Sequence, residues 1–332
     1  MEVVFSGMRP TGRLHLGHMA GALSNWVLLQ ESHDCYYSIV DWHALMSDYA
    51  DPSKLRGNTR EVLLDWLAVG LDPNKCAIFV QSHVKEHAEL HLALSMITPL
   101  GWLERCPTYK EQILNLQNKD LSTYGFLGYP VLMASDILVY KAHKVPVGED
   151  QTAHLEISRE IARRFNNYYG GGREIFPEPC ILLTHNPKIP GTDGRKMSKS
   201  YGNSLDIADE MPVIDKKIRT MKTDPARERR TDPGEPDKCP VWDLQKFFNE
   251  DVPQMQEIAS GCRSASIGCI DCKKALVAHV AERMAPIHER RERFAACGDE
   301  LSDILAEGAK KAGARASRTM SEVREALCMT KL

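Results

Sequence analysis

Val3-Val4-Phe5-Ser6-Gly7-Met8-Arg9-Pro10-Thr11-Gly12-Arg13-Leu14-His15-Leu16-Gly17-His18 is the stretch whose reading decides the fold. Its β-branched and aromatic start predicts a strand over residues 3–6. Leu16, Ala20, Leu23 and Val27 stand at helical spacing and predict a helix over residues 16–30. Working outward, residues 35–40 read as a second strand and residues 77–80 as a third. Between them residues 55–69 read as a helix, opened by the capping chemistry of Asp51-Pro52-Ser53. Strand, helix, strand, helix, strand is the pattern of an α/β, doubly wound parallel sheet. Ligands in such sheets bind beyond the carboxyl ends of the strands, where the strand order reverses. Residues 90–165 read as mostly helical around a strand-like 144–147, and residues 181–184 as one more strand. A loop rich in Gly, Pro and Lys follows over 186–203. After 206 the chain reads as helical, interrupted by a polar stretch over 224–239. Two domains are expected, 1–205 with a helical insertion at about 90–140, and 206–332.

Composition sets bounds. The 332 residues are 43% hydrophobic and 26% charged, values of a globular protein. No apolar run is long enough to span a bilayer, and residues 1–6 lack a basic n-region, so a cytoplasmic protein with no membrane partner is expected. A net charge of −3 excludes a globally basic coat for nucleic acid, though not a local basic groove. Ten cysteines without a secretory signal argue against a disulfide framework; clustered ones are read as metal ligands first.

Two segments carry chemistry. Met8 to His18 joins a strand to a helix start, whose unpaired N–H groups and positive dipole end suit phosphate. His15 and His18 stand three apart on one side of that turn, and Gly17 between them permits close approach. Alone, they are equally two surface histidines. Gly194-Arg195-Lys196-Met197-Ser198-Lys199-Ser200 puts two ammonium groups and two hydroxyls in a glycine-flanked loop. Such a loop can close over a polyphosphate, or simply be solvated.

Taken together, His-Leu-Gly-His after the first strand and Lys-Met-Ser-Lys-Ser after the last resemble the paired signatures of class I aminoacyl-tRNA synthetases. Asp41-Trp42-His43-Ala44-Leu45, the run from Tyr129 to Leu138, Val145-Pro146-Val147-Gly148-Glu149-Asp150-Gln151 and the helix from His154 to Arg159 resemble the bacterial tryptophanyl-tRNA synthetases over essentially the whole chain. The resemblance implies a Rossmann-like catalytic domain, a helical anticodon-binding domain and a homodimer. It also implies ATP-dependent activation of L-tryptophan and its transfer to tRNA(Trp). A tyrosyl enzyme and a non-catalytic RNA-binding paralogue are the alternatives. His15, His18, Lys196 and Lys199 are then catalytic. Arg9, Pro10, Thr11, Gly17, Gly148, Glu149, Asp150, Ile189, Met197, Ser198 and Ser200 join them in binding ATP with Mg2+. Asp136 is the acceptor for the indole N–H, which needs one acceptor in an apolar wall. Tyr129, Met133, Gln151 and His43 complete the tryptophan pocket.

Several positions depart from the family pattern. Arg9 and His18 stand where many relatives carry glutamine and asparagine. Lys110 resembles a family lysine, but Gln112 replaces a second lysine found in some relatives. Cys239, Cys262, Cys269 and Cys272 lack the two Cys-x2-Cys knuckles of zinc ribbons. Their spacing resembles the iron–sulfur subset of these synthetases, implying a [4Fe–4S] cluster, with Zn2+ as the alternative. Arg263, Lys273 and Lys274 beside them are expected to offer a positive face to the anticodon loop. His83, His87 and His91, four apart, read as a solvated polar face.

Overall fold

The protein is described here by a computed structural model covering residues 1–107, 109–110, 120–148, 151–183 and 189–329. Five strands, β1 (Val3–Met8), β2 (Asp34–Ile39), β3 (Ala77–Val80), β4 (Lys144–Val147) and β5 (Cys180–Leu183), pair in parallel in the order β3-β2-β1-β4-β5. The doubly wound sheet expected from the sequence is present. Residues of β2 and β3 are buried on both faces. That is why they read as continuous apolar runs and not as alternating ones. The order reverses between β1 and β4, so the ligand crevice lies past Met8 and Val147.

Residues 16–29 depart from the single α-helix expected. Leu16–His18 is α-helical, Met19–Leu23 is a π turn, and Ser24–Leu29 is α-helical again. Ser24 N–H and Ser24 Oγ both reach Met19 C=O, five residues back, which holds the wider turn open. Such turns are common beside functional sites. An unanticipated helix, Asp41–Asp48, follows β2 directly. The Leu55–Val69 helix forms as expected and is stopped by Gly70, whose φ of +119° suits a C-terminal cap.

From Met211 the described residues build helices, ending in Cys269–Ala296 and Gly298–Ala326. The last packs on β3, and Cys269–Ala296 packs on the Leu55–Val69 helix. Leu276, Val280 and Met284 share one apolar cluster with Leu63, Trp66 and Leu67. A Cβ on Gly308 would stand 1.9 Å from Ile78 C=O, so only glycine lets the last helix approach β3 this closely.

Candidate active site

At the carboxyl end of β1 the two signature segments meet. Lys199 Nζ donates to Thr11 C=O and Arg13 C=O, both at 2.9 Å, and Met197 is buried with its Cβ near Gly17. The loop is tied internally by Asn203, which the sequence reading passed over. Its amide donates to Asp193 and to Lys196 C=O, and its Oδ1 accepts from Ser198 N–H. Lys196 and Ser200 are exposed, and Ser198 pairs with Ser200. Ile189 is buried beside them.

His15 and His18 lie ring against ring, 3.7 Å between centroids. A Cβ on Gly17 would come within 3.0 Å of His15 Nδ1, so the glycine makes room for that ring. His18 Nδ1 accepts from His15 N–H at 3.2 Å, which leaves the proton on Nε2 as a donor. His15 Nδ1 is buried with no partner among the described residues. Burial, reinforced by the charge of Lys199, pushes His15 down to about 4. Burial and the neighbouring His15 and Lys199 push His18 down to about 3. Both rings are therefore neutral at pH 7, available as hydrogen-bond donors and not as cations. The same surroundings push Lys199 below its ordinary value, burial being the main cause.

Between β1, β4 and the Tyr124–Leu138 helix lies a cavity of about 320 Å³, lined by Arg9, His43, Tyr129, Met133, Asp136, Gly148 and Gln151 among others. The structure thus brings together all five residues assigned to tryptophan. Asp136, fully buried, accepts from Gln81 Nε2 (2.7 and 2.9 Å), His43 Nε2 (2.8 Å) and His87 Nδ1 (2.6 Å). Burial alone would raise its carboxyl, but His43 and His87 hold it down to about 2. His87 Nε2 in turn meets Tyr140 Oη at 2.7 Å. This corrects the reading of a solvated histidine face. His87 is fully buried, His83 sits in a separate 3-10 turn, and only His83 is exposed. A period of four cannot tell a core face from a wet one when its members are polar. A second relay fixes the other end of the cavity: Tyr129 Oη meets buried His154 Nε2 at 2.6 Å, and His154 Nδ1 meets Gln151 Oε1 at 2.8 Å. Gln81, His87, Tyr140 and His154 were missed in the sequence. The i, i+3 pair Gln151 and His154 was the one available signal. Pro10 and Thr11 instead line a neighbouring cavity of about 460 Å³. Lys110 is exposed. Glu149, Asp150 and Gln112 lie outside the described residues.

The four cysteines stand at helix ends. Cys239 precedes the Pro240–Phe248 helix, Cys262 lies in the last turn of Val252–Arg263, and Cys269 and Cys272 open Cys269–Ala296. All six pairs are near enough to feel each other's charge. Yet among the described residues no three His, Cys, Asp or Glu side chains converge on the position of a single metal ion. Lys273, expected on a positive face, is instead buried and donates to the carbonyls of Arg219 and Met221. Arg263 pairs with Glu235 and Asp237, and Lys274 with Asp271.

Residues 2–285 match the family of class I tRNA synthetases for W and Y. The chain is 53% identical to the tryptophan–tRNA ligase of Thermotoga maritima over 98% of each chain, and 45% identical to that of Deinococcus radiodurans over the full length of both. It superposes on the crystal structure of tryptophanyl-tRNA synthetase from Campylobacter jejuni complexed with ADP and tryptophan. The TM-score is 0.88, at 34% identity, covering 98% of this chain and 99% of that one. Two signature segments joined by Lys199, a cavity floored by a buried aspartate, and these likenesses along the whole length agree: the chain belongs to the class I tRNA synthetases and, within them, to the bacterial tryptophan–tRNA ligases.

Proposed function

We propose that this tryptophan–tRNA ligase activates its amino acid by positioning and charge alone, with no covalent enzyme intermediate. Tryptophan enters the cavity with its indole against Met133 and its N–H on Asp136. All four lone-pair directions of that carboxylate are engaged, so the indole takes the place of one donor. His43, at the cavity wall with an 11% exposed side chain, is the one that yields; His87 is fully enclosed. Tyr129 and Gln151, held by His154, orient the amino and carboxyl ends. The carboxylate attacks the α-phosphorus of ATP, the bond to the β-phosphate bridging oxygen breaks, and pyrophosphate leaves with the electron pair. His15 and His18 donate hydrogen bonds to the phosphate oxygens, and Lys196 and Lys199 meet the charge developing on pyrophosphate. Gly148, with Glu149 and Asp150 after it, serves the ribose, and Ile189 the adenine. Mg2+ arrives on the phosphates of ATP, as this ion usually does. The terminal ribose hydroxyl of tRNA(Trp) then attacks the activated carbonyl and releases AMP.

The observation that carries this reading is Lys199 bridging to the carbonyls of Thr11 and Arg13 beside the histidine pair. The relative from Campylobacter jejuni, complexed with ADP and tryptophan, supports the same occupants here. Tryptophan-dependent ATP–pyrophosphate exchange tests it. Exchange with tryptophan and not tyrosine is expected, and loss of the tryptophan preference in Asp136→Ala; exchange indifferent to that change would remove the assignment.

Two further features belong to this reading. The first is a homodimer through residues 90–140, supported by exposed Leu92, Met96, Leu100 and Tyr124 and by an apolar hollow lined by Trp42, Leu45, Ala88 and Leu132. The second is a [4Fe–4S] cluster on Cys239, Cys262, Cys269 and Cys272. A single zinc ion at about 2.3 Å from each sulfur needs the thiolates nearly touching. In a [4Fe–4S] cluster each of the four irons would take one cysteine, so the four sulfurs need only lie near one another and not converge on one point. The cluster would hold three helix ends together in the half of the chain, residues 206–332, that reads the anticodon.

A further inference from the structure

Asp65 sits in the middle of the Leu55–Val69 helix with no solvent exposure, its chain neighbours Leu64 and Trp66 both core residues. A carboxylate in such a place needs partners. Its Oδ2 accepts Leu14 N–H at 2.8 Å, and its Oδ1 accepts Arg291 Nε at 2.8 Å. Arg291 also reaches Glu61 at 2.6 Å, which holds Arg13 at 3.0 Å. The other backbone group of Leu14 is held as well: Leu14 C=O accepts from Ile207 N–H at 2.8 Å, and Ile207 C=O meets His288 Nε2 at 3.0 Å. His288 and Arg291 are three apart on the Cys269–Ala296 helix and so share one face of it. The residue immediately before His15 is therefore gripped at its N–H and at its C=O, and both grips end on one face of a helix from the far half of the chain.

We propose that Asp65 and Arg291 are positioning residues for adenylate formation: through Leu14 they fix where His15 stands against the phosphates of ATP. A purely structural ion pair would account for the burial of Asp65. It would not account for the second grip on the same residue, closed by His288 from the same helix face. The inference rests on His15 serving ATP. Displacing a reacting group slightly costs rate out of proportion to any loss of stability.

The test is tryptophan-dependent ATP–pyrophosphate exchange on Asp65→Asn, Arg291→Gln and the double variant, with thermal midpoints alongside. An asparagine can accept from Leu14 or receive Arg291, not both well. In the double variant its amide donates to Gln at 291 while its oxygen keeps Leu14. Each single change should lower kcat/KM for ATP about tenfold with KM for tryptophan within about twofold, and the double should recover most of the loss. Single variants that melt lower but keep their ATP kinetics, or losses that simply multiply in the double, would overturn the proposal. If Asp65→Asn does not fold, Arg291→Lys carries the same readout, because a single ammonium cannot span Asp65 and Glu61 as the guanidinium does. His15→Ala runs in parallel. Slow exchange there with intact Asp65→Asn kinetics overturns this inference alone; unimpaired exchange in His15→Ala removes the reading beneath it and the inference with it.

Discussion

Asp136 shows how much one residue depends on groups the sequence does not place beside it. Gln81, His43 and His87 come from other elements to saturate a carboxylate that burial alone would neutralise. Asp136→Ala should weaken tryptophan use by about 1–3 kcal/mol or more, because the indole N–H loses a buried charged partner while His87 and Gln81 are left unpaired. Exchange kinetics at varied tryptophan check this, and an unchanged KM for tryptophan would contradict it. The histidine pair gives a pH expectation. His15 and His18 lie below the ordinary 6.5, so the unfolded chain binds protons that the folded chain refuses. Their contribution to stability is complete above 6.5 and is lost as pH falls from there toward about 3. Thermal midpoints should therefore drop between pH 7 and 5, and His18→Asn should flatten that part of the profile. The exchange rate should show no ionisation near 6.5 from these rings, since both stay neutral through that range.

The helix start and the loop that meets it are the elements where chemistry and backbone are least separable. Ala is a better helix former than Gly, so Gly17→Ala should leave stability unchanged or raise it by up to about 1 kcal/mol. The new Cβ would nevertheless press on the His15 ring, now 3.0 Å away, and turn it from its place. Adenylation should fall about tenfold or more with KM for tryptophan little changed, read from single-turnover adenylate formation. Lys199→Ala should act in the same sense through the rate, because its charge is needed most as pyrophosphate leaves. The elements themselves were legible wherever burial is two-sided or periodic. β3, β4 and the Leu55–Val69 helix stand where their apolar patterns put them. The π turn at Met19–Leu23 was not, because it shifts hydrogen bonds without altering which residues are apolar. The Asp41–Asp48 helix is too short, and its apolar residues too bunched, to show a period. The site was legible at its signature segments and at Asp136. Gln81 and His87 act through contacts distant in sequence that no local pattern marks, and His154 shows locally only in its i, i+3 pairing with Gln151.

At the scale of the whole molecule, the Cys269–Ala296 helix opens on two cysteines and, in its last turns, carries Arg291 to Asp65, which holds Leu14. Sedimentation should report twice the 37.3 kDa chain mass, since the exposed Leu92, Met96 and Leu100 need a cover; a monomer at micromolar concentration would contradict the dimer. The four thiols make the last expectation. Burial raises Cys239, Cys262 and Cys272 above the ordinary thiol value, most for Cys272, pushed up to about 11. Free thiols held so are inert at neutral pH, and a bound iron is what would draw their protons off. Arg227, whose Nη1 lies 3.7 Å from Cys262 Sγ, already leans the other way and would offset the negative charge of a thiolate cluster. Protein purified without oxygen should carry about four irons per chain with broad absorption near 400 nm. Cys262→Ser or Cys269→Ser should then loosen three helix ends at once. That is expected to lower tRNA charging more than pyrophosphate exchange, because the proposed role of the cluster is in tRNA recognition and not in adenylation. Stoichiometric zinc without iron would replace the cluster by a single ion. Equal loss of charging and exchange would instead mean that the cysteine end supports the catalytic half directly, through the helix that Arg291 anchors.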